Sequence, residues 1–351
     1  MRSEYAMSLR HDLILWFALY AAIGYVGTWL ARRYALQRRL IDQPGERRSH
    51  TVATPRGGGI AIVAAVCIAV LALIARQPSQ IVSLTAGFIG FCLIAGIGWV
   101  DDHRPLSPWL RLAVHAVAAT VLASGLWLGG ADLAVAGTAG LLCMALVNVW
   151  NFMDGIDGIA ATQAAIVALA FGLVAGGATA ALLALALIAA ICGFLPFNLR
   201  KARIFLGDVG SGALGYVLAW LAALAMASMP ERLWLLLLLP LSAFLLDAGL
   251  TLSSRIVRGE QWWLPHVEHV YQRWARRTGS HPQVTAAYAL WTVLAVIIMG
   301  YKVLAYRRGE ANDITLVVLA WLGLGIALWY GLRRRSNGQG PQDTSDRGVD
   351  T

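Results

Sequence analysis

The sequence predicts an all-α fold, a polytopic integral membrane bundle of about eleven transmembrane helices. Of its 351 residues, 58% are hydrophobic and only 13% are charged. Average soluble proteins carry about a quarter charged residues, so this composition could not cover a water-facing surface of this size. In hydrocarbon every backbone polar group must be bonded internally, which favours helices over open strands.

Eleven apolar runs have the length of roughly 17 to 25 residues that crosses about 30 Å of hydrocarbon. The first run is too long for the apolar core of a signal peptide and ends at Arg32 and Arg33 without a cleavage site, so we expect it to remain as a helix. The predicted spans are 12–31, 58–75, 81–99, 110–128, 132–148, 159–175, 178–196, 212–229, 233–252, 284–304 and 314–332.

The distribution of basic residues predicts the orientation of the bundle. The stretches on one side hold 21 of the 28 Lys and Arg residues. By the positive-inside rule this side is cytoplasmic, with the N-terminus periplasmic and the C-terminus cytoplasmic. Residues 1–335 are predicted to form a single membrane domain, followed by a disordered cytoplasmic tail over 336–351. The basic stretches are 32–56, 100–111, 198–211, 253–283 and 333–351.

The net charge of +9 would suggest nucleic acid as a partner in a soluble protein. Here the basic residues lie between apolar runs, a pattern that reports topology and anionic partners, so we expect no nucleic acid. The four cysteines stand singly inside apolar runs without CxxC spacing, and they give no sign of a metal site.

Acidic residues gather on the same predicted face as the arginines. Several carboxylates at one membrane interface are costly unless they pair or bind cations. Adjacent carboxylates such as Asp101 and Asp102 repel each other, and Mg²⁺ suits them because it takes one or two carboxylates plus phosphate oxygens. Taken alone, this pair is equally consistent with a solvated helix end. The acids of this face are Asp101, Asp102, Asp154, Asp157, Asp208 and the intramembrane Asp247.

A polar segment follows the fifth span and reads Asn148-Val-Trp-Asn151-Phe-Met-Asp154-Gly-Ile-Asp157-Gly158. The spacing of three places its polar groups on adjoining helical faces. Carboxamides can donate to phosphate or sugar oxygens, and carboxylates can hold a metal. An ordinary interhelical loop would seldom need two Asn and two Asp in so short a segment, which favours a binding role.

A glycine-rich segment opens the eighth span and reads Phe205-Leu-Gly-Asp208-Val-Gly-Ser211-Gly212. A glycine-rich turn into a helix exposes backbone N–H groups at the positive end of the helix dipole, which suits phosphate. Asp208 would repel that phosphate unless Mg²⁺ lay between them. The alternative is a glycine-rich helix start capped by Ser211.

Two predicted cytoplasmic loops supply basic side chains. Arginine forks recognise diphosphates, and Trp262, Trp263 or Tyr271 could stack on a base or sugar. The alternative is a basic surface attracted to anionic lipid, which is common in juxtamembrane loops. The first loop carries Arg47, Arg48, His50 and Arg56, and the last carries Arg255, His266, His269 and Gln272.

Five ordered motifs, from about Asp42 to Gln272, resemble the polyprenyl-phosphate N-acetylhexosamine-1-phosphate transferases. The resemblance implies ten or eleven helices and a cytoplasmic active site formed by the loops 32–57, 100–110, 149–159, 198–212 and 253–283. It also implies transfer of an N-acetyl-amino-sugar 1-phosphate from a UDP-sugar to undecaprenyl phosphate, with release of UMP. The cofactor implied is Mg²⁺, with Mn²⁺ as an alternative.

The same resemblance implies roles for individual residues. Little covalent chemistry is required of a protein that transfers phosphoryl groups, so direct in-line attack is preferred over a covalent aspartyl intermediate. Catalytic roles fall to Asp101, Asp102 and Asp208, and metal binding to Asp208, Asp101 and Asp154. Substrate binding falls to Asn148, Asn151, Asp154, Asp157, Asn198, Arg47, Arg48, His50, Arg56, Arg255, His266, His269 and Gln272.

The final loop departs from the family pattern, because Val267 and Glu268 separate the histidines where many members have a His-x-His-His cluster. This resembles the O-antigen branch, which implies GlcNAc, N-acetylfucosamine or N-acetylquinovosamine as the sugar and a bacterial inner-membrane location. Expected partners are the UDP-sugar, undecaprenyl phosphate and membrane lipids, and a homodimer stays open. The competing classes are a polytopic transporter, which would need ionisable groups near the bilayer midplane, and a lipid-binding scaffold, which would not need the acids.

Overall fold

The structure is a computed structural model and describes residues 2–43, 52–261, 263, 266–310 and 313–337. Side chains are described from residue 11 to residue 335 within these ranges. The predicted substrate-binding residues Arg47, Arg48 and His50 lie outside the described residues, as does most of the predicted tail.

The described part of the chain is a bundle of 12 α-helices. Nine helical segments are long and apolar enough to cross a membrane, whereas α2 and α6 are shorter apolar helices. The predicted polytopic helical fold is therefore confirmed. The helices are α1 (Arg2–Arg38), α2 (Ile60–Arg76), α3 (Ile81–His103), α4 (Pro108–Leu128), α5 (Leu133–Phe152), α6 (Ile159–Val174), α7 (Ala178–Asn198), α8 (Asp208–Ala227), α9 (Leu238–Val257), α10 (Val270–Thr278), α11 (His281–Arg307) and α12 (Ile314–Asn337).

Helix α8 lies at the centre of the bundle. Nearly all of its side chains are buried, and it packs against α2, α3, α5 and α6. Its sequence is apolar on every face and rich in Ala and Gly, which is the pattern of a helix surrounded by other helices. Asp208, its first residue, therefore has a fixed place at one end of the bundle.

Two short paired strands hold together the ends of the first basic loop, at the same end of the bundle as Asp208. Strands β1 (Ile41–Asp42) and β2 (Thr54–Pro55) pair antiparallel. The chain after β2 then pairs with the segment before α8, with Gly59 N–H donating to the Leu206 carbonyl at 2.8 Å. This backbone pairing holds Arg56 beside the start of α8.

Several helix ends differ from the apolar runs. Helix α3 continues past its predicted end at 99 to His103, and α8 begins at Asp208 rather than 212. Both added turns are polar, and side chains from neighbouring helices form hydrogen bonds or ion pairs with their polar groups. Helix α10, an amphipathic helix within the last loop, was not predicted because it lacks an apolar run of spanning length.

Candidate active site

Three charged side chains from three helices meet at one end of the bundle. Asp101 lies near the end of α3, Arg111 in the first turn of α4, and Asp208 at the start of α8. The Arg111 Nη1 atom lies 2.9 Å from Asp101 Oδ2 and 3.3 Å from Asp208 Oδ2. The two carboxylates are also within hydrogen-bonding reach of each other. Two motifs that are far apart in the sequence therefore form one charged site.

Asp102 faces the backbone of α8. Its side chain is 2% exposed, and its Oδ1 and Oδ2 atoms accept hydrogen bonds from the N–H groups of Asp208 and Val209, each at 3.1 Å. The first N–H groups of a helix have no partner within the helix, and a carboxylate also favours the positive end of its dipole. Arg56 donates to the Asp102 backbone carbonyl, and its Nε lies 3.9 Å from Oδ1. Asp102 therefore orients the helix that begins with Asp208.

Two glycines permit the close approach of α3 and α8. Gly207 adopts a φ of 77°, which side chains rarely tolerate, and a Cβ there would lie 2.6 Å from Asp102 Oδ2. A Cβ on Gly98 would lie 2.5 Å from the Asp208 carbonyl oxygen. Any larger residue at either position would push the two carboxylate-bearing segments apart.

The two predicted asparagines of α5 have different surroundings. Asn151 donates from Nδ2 to Asp208 Oδ1 at 2.7 Å and to Ser211 Oγ at 3.1 Å, so it fixes the Asp208 carboxylate. Asn148 lies one turn further from the loop and donates to the Met144 carbonyl at 2.7 Å. It is within hydrogen-bonding reach of His115 on α4. Asn148 thus lies deeper in the bundle than the carboxylates.

Asp157 holds a neighbouring turn. Its Oδ2 atom accepts hydrogen bonds from the N–H groups of Lys201 and Ala202 at 3.1 and 3.0 Å, and its Oδ1 atom lies 3.2 Å from His281 Nδ1. Burial alone would raise the pKa of Asp157, but the hydrogen bonds from His281 and the backbone lower it overall. Arg200 and Lys201 both have positive φ, a conformation that costs energy in non-glycine residues. The carboxylate holds this strained turn in place.

Asn198 joins two loops from a buried position. Its Oδ1 atom accepts a hydrogen bond from Gly158 N–H at 3.0 Å, and its Nδ2 atom donates to the Ile204 carbonyl at 3.0 Å. Both polar ends of the side chain are therefore engaged in holding the loop before α6 beside the segment that leads to α8.

Asp154 is the predicted site residue with the least support from neighbouring donors. Among the described residues, no hydrogen bond or ion pair reaches its carboxylate. Burial, followed by the charges of Asp208, Asp102 and Asp157, raises its pKa well above the ordinary range. Such a group gains strongly from a cation nearby.

The last loop is held by a network of ion pairs. Arg255 is buried, lies 2.8 Å from Glu260 Oε2 and pairs with Glu268. Arg258 and Arg273 also lie within ion-pair distance of Glu268. The Nη1 atom of Arg255, a residue predicted to bind substrate, is therefore engaged by acids of its own loop, whereas its buried Nε has no hydrogen-bond partner among the described residues.

The histidines of this loop stack beside the end of α5. The rings of His266 and His269 are 4.8 Å apart, and His269 stacks on Phe152 at 6.3 Å. Burial, then the positive charge of neighbours, lowers the pKa of His266 to about 4. Burial also lowers the pKa of His269. Both imidazoles are therefore neutral at pH 7 and would meet a substrate as hydrogen-bonding groups.

The remaining residues of this loop that were predicted to contact substrate are Gln272 and three aromatic residues. Gln272 is buried, and its Oε1 atom has no hydrogen-bond partner among the described residues, so it retains an unused acceptor. Tyr271 is fully buried and donates to the Phe152 carbonyl at 3.0 Å, so the prediction that it could stack on a base or sugar was wrong. Trp263 contacts Trp109, with ring centroids 5.9 Å apart, and both rings line the cavity at the charged site, so stacking on a substrate stays a prediction; Trp262 lies outside the described residues.

The carboxylates fit a magnesium site that keeps much of its water. Within the described ranges, no three His, Cys, Asp or Glu side chains are grouped closely enough to hold a metal alone. Mg²⁺ rarely needs such a cage, because it binds one or two carboxylates together with water and phosphate oxygens. Asp101 and Asp208, within reach of each other, supply such a pair. Asp154 would have to contribute through water or through a change of position.

A cavity of about 70 Å³ runs from this charged site into the bundle. It is bordered by Asp208, Asn151 and Arg111 at its polar end, and further in by mainly apolar side chains of α3, α4 and α5 together with His115 and Asn148. In the sequence, Arg111 was one of the basic residues that predicted the topology, and it was not among the predicted site residues. The signal was available, because a short connection between consecutive helices α3 and α4 must bring residues 101 and 111 to the same end of the bundle.

A bundle of membrane-spanning helices with clustered carboxylates, glycine-rich helix starts and carboxamides at one end defines an integral membrane enzyme of the phosphoryl-transfer type. The chain belongs to glycosyl transferase family 4, whose family model matches residues 84–226. Its relatives are polyprenyl-phosphate N-acetylhexosamine-1-phosphate transferases, which confirms the family predicted from the motifs.

Three relatives illustrate the range of similarity. A decaprenyl-phosphate N-acetylglucosaminephosphotransferase of Mycobacterium tuberculosis is 30% identical, over 90% of this chain and 88% of the relative. A phospho-N-acetylmuramoyl-pentapeptide-transferase of Heliobacterium modesticaldum is 30% identical, over 78% of this chain and 92% of the relative. An undecaprenyl-phosphate α-N-acetylglucosaminyl 1-phosphate transferase of Salmonella typhi is 26% identical, over 83% of each chain.

Proposed function

We propose that this protein transfers an N-acetyl-amino-sugar 1-phosphate from a UDP-sugar to undecaprenyl phosphate. UMP leaves, and undecaprenyl-diphospho-sugar begins a cell-envelope polysaccharide such as O-antigen. The observation that carries the proposal is the convergence of Asp101, Asp208 and Arg111 at the mouth of an apolar-lined cavity. GlcNAc is the first sugar to test, because the Mycobacterium tuberculosis and Salmonella typhi relatives are named as N-acetylglucosamine phosphate transferases.

The proposed reaction is a direct displacement at phosphorus. An oxygen of the lipid phosphate attacks the phosphorus that bears the sugar, and the bond from that phosphorus to the oxygen retained by UMP breaks. A phosphate monoester is already largely ionised at pH 7, so no strong base is needed. Catalysis then rests on alignment and on neutralising charge.

Different residues of the chain would hold the cation, orient its ligands and bind the lipid acceptor. Asp208 and Asp101 would hold Mg²⁺, which supplies charge neutralisation at the diphosphate oxygens. Asn151 orients the Asp208 carboxylate, and Asp102 orients the helix that carries it. The apolar walls of the cavity suit the first isoprene units of the acceptor, whose phosphate would then face the carboxylates.

The proposal also includes the setting in the membrane. The basic loops favour an active site facing the cytoplasm of a bacterial inner membrane. A transporter is less well supported, because the intramembrane Asp247 accepts hydrogen bonds from Val270 N–H at 2.8 Å, Tyr271 N–H at 3.0 Å and Tyr288 at 2.7 Å. That carboxylate is engaged in holding α10 against α9 and α11.

The test is UMP release by the detergent-purified full chain with undecaprenyl phosphate and a panel of UDP-N-acetyl sugars. We expect release with one sugar in Mg²⁺ and none in EDTA. Asp208→Asn should abolish release, whereas Asp132→Asn, which alters an exposed carboxylate at the opposite end of α5, should leave it unchanged. No release with any sugar from folded protein, or equal release in EDTA, would refute the proposal.

A further inference from the structure

Arg111 occupies the position between the two carboxylates proposed to bind the cation. A single nitrogen, Nη1, contacts one oxygen of Asp101 at 2.9 Å and one oxygen of Asp208 at 3.3 Å. The Asp101 side chain is 9% exposed and the Arg111 side chain 28% exposed, so water screens these contacts only in part. The same nitrogen therefore places one positive charge against both acids.

Electrostatics give this contact a consequence for metal binding. Asp101 and Asp208 are within hydrogen-bonding reach of each other, and both feel the charge of Asp102. Ionised carboxylates this close repel each other unless a positive charge lies between them. A divalent cation bound by the same two oxygens would need the space of Nη1, and it would repel the guanidinium. Arg111 and the cation cannot both be bound there.

We propose that Arg111 is an internal counter-ion that competes with the divalent cation until substrate phosphates arrive. The phosphates offer oxygens to the cation and an alternative partner to the guanidinium, which binds phosphate through paired N–H groups. Arg111 lines the cavity beside the carboxylates, so its side chain has space to move. Cation and substrate then bind together, and the substrate-free site binds the cation weakly. The proposal rests on the proposed function for the identity of the cation and of the phosphates, whereas the competition between Arg111 and the cation in the substrate-free site can be measured without either substrate.

The experiment measures Mn²⁺ binding without substrate and without turnover. Free Mn²⁺ is monitored by electron paramagnetic resonance while it is titrated into the detergent-purified full chain. Arg111→Met should bind Mn²⁺ at least about tenfold more tightly than the unaltered protein, which corresponds to about 1.4 kcal/mol. Arg104→Met removes the same charge from the same end of the bundle, at an exposed residue, and should change nothing. Adding Asp208→Asn to Arg111→Met should remove the gain.

Each outcome either supports or overturns the proposed competition between Arg111 and the cation. Equal Mn²⁺ affinity in Arg111→Met and the unaltered protein would overturn the proposal, as would a gain that persists with Asp208→Asn. If Arg111→Met does not fold, Arg111→Gln removes the charge and keeps a polar side chain, and we expect a gain similar to that for Met. No gain in a folded Arg111→Gln would overturn the proposal. Failure of UMP release would refute the proposed function and leave this Mn²⁺ result standing.

Discussion

Asp102→Asn should lower the stability of the metal-free protein, whereas Asp208→Asn should not. The two residues belong to motifs that are far apart in the sequence and were predicted together as catalytic, but their surroundings are opposite. Asp102 is 2% exposed and accepts two backbone hydrogen bonds at the start of α8. Asp208 is one-third exposed and lies against other carboxylates.

The expected changes in the free energy of unfolding follow from these contacts. The amide in Asp102→Asn can accept only one of the two α8 hydrogen bonds, and its NH₂ group then faces an N–H that water cannot reach. A hydrogen bond to a buried charged group contributes about 1.5–3 kcal/mol, so we expect a loss of about 3 kcal/mol with the weakened Arg56 contact included. Asp208→Asn loses a partly exposed ion pair worth about 1 kcal/mol, and it also relieves repulsion from Asp101.

The assay is thermal unfolding of the detergent-purified variants in EDTA, followed by UMP release in Mg²⁺. Asp102→Asn should unfold several degrees below the unaltered protein, and Asp208→Asn at the same temperature or higher. Both should lose most activity, the first through displacement of α8 and the second through loss of a metal ligand. Equal destabilisation by the two substitutions, or an unchanged unfolding temperature for Asp102→Asn, would refute the assignment of Asp102 as a positioning residue.

Three further predictions use the same assays. Gly98→Ala should cost about 1–3 kcal/mol and at least about tenfold in UMP release, because its Cβ would press on the start of α8. Gly96→Ala, where a Cβ meets nothing within 4 Å, is the control, and equal effects at both positions would contradict this reading. Asp157→Asn should cost about 2 kcal/mol, because the strained turn loses a charged acceptor, and Lys201→Gly should recover part of that loss if the strain is real. Burial lowers the pKa of His266 to about 4 in the folded protein against about 6.5 unfolded, so the contribution of His266 to stability is present above pH 6.5 and is lost as pH drops from 6.5 towards 4. His266→Asn should make that slope shallower in unfolding temperatures measured from pH 7.5 to 4.5, and an unchanged slope would exclude His266 as a contributor.

Much of the fold could be predicted because membrane insertion is a property of local composition. An apolar run long enough to cross hydrocarbon must form a helix, whatever it packs against. Nine of the predicted spans have that length and apolar character in the structure. The end of α3 and the start of α8 could not be predicted from apolar length, because the polar last turn of α3 and the polar first turn of α8 are stabilised by partners from other helices.

The site was predictable as a set of residues but not as a set of roles. Clustered acids on one predicted face indicated a charged site, since isolated carboxylates at a membrane surface are costly. Asp101 and Asp102 are neighbours in the sequence, yet only contacts with α8 distinguish a residue that faces Arg111 from one that accepts backbone N–H groups. The same limit applies to Arg255, whose acidic partners belong to its own loop.

By itself, the sequence determined that this protein is a helical membrane bundle of the polyprenyl-phosphate N-acetylhexosamine-1-phosphate transferase family, because apolar length and ordered motifs are local properties of the chain. Only the tertiary structure decided that Asp102 orients α8, that Tyr271 is buried, and that Arg111 lies between Asp101 and Asp208. The physical reason is that these roles depend on distances between helices. Packing brings together atoms whose separation along the chain carries no information about their separation in space.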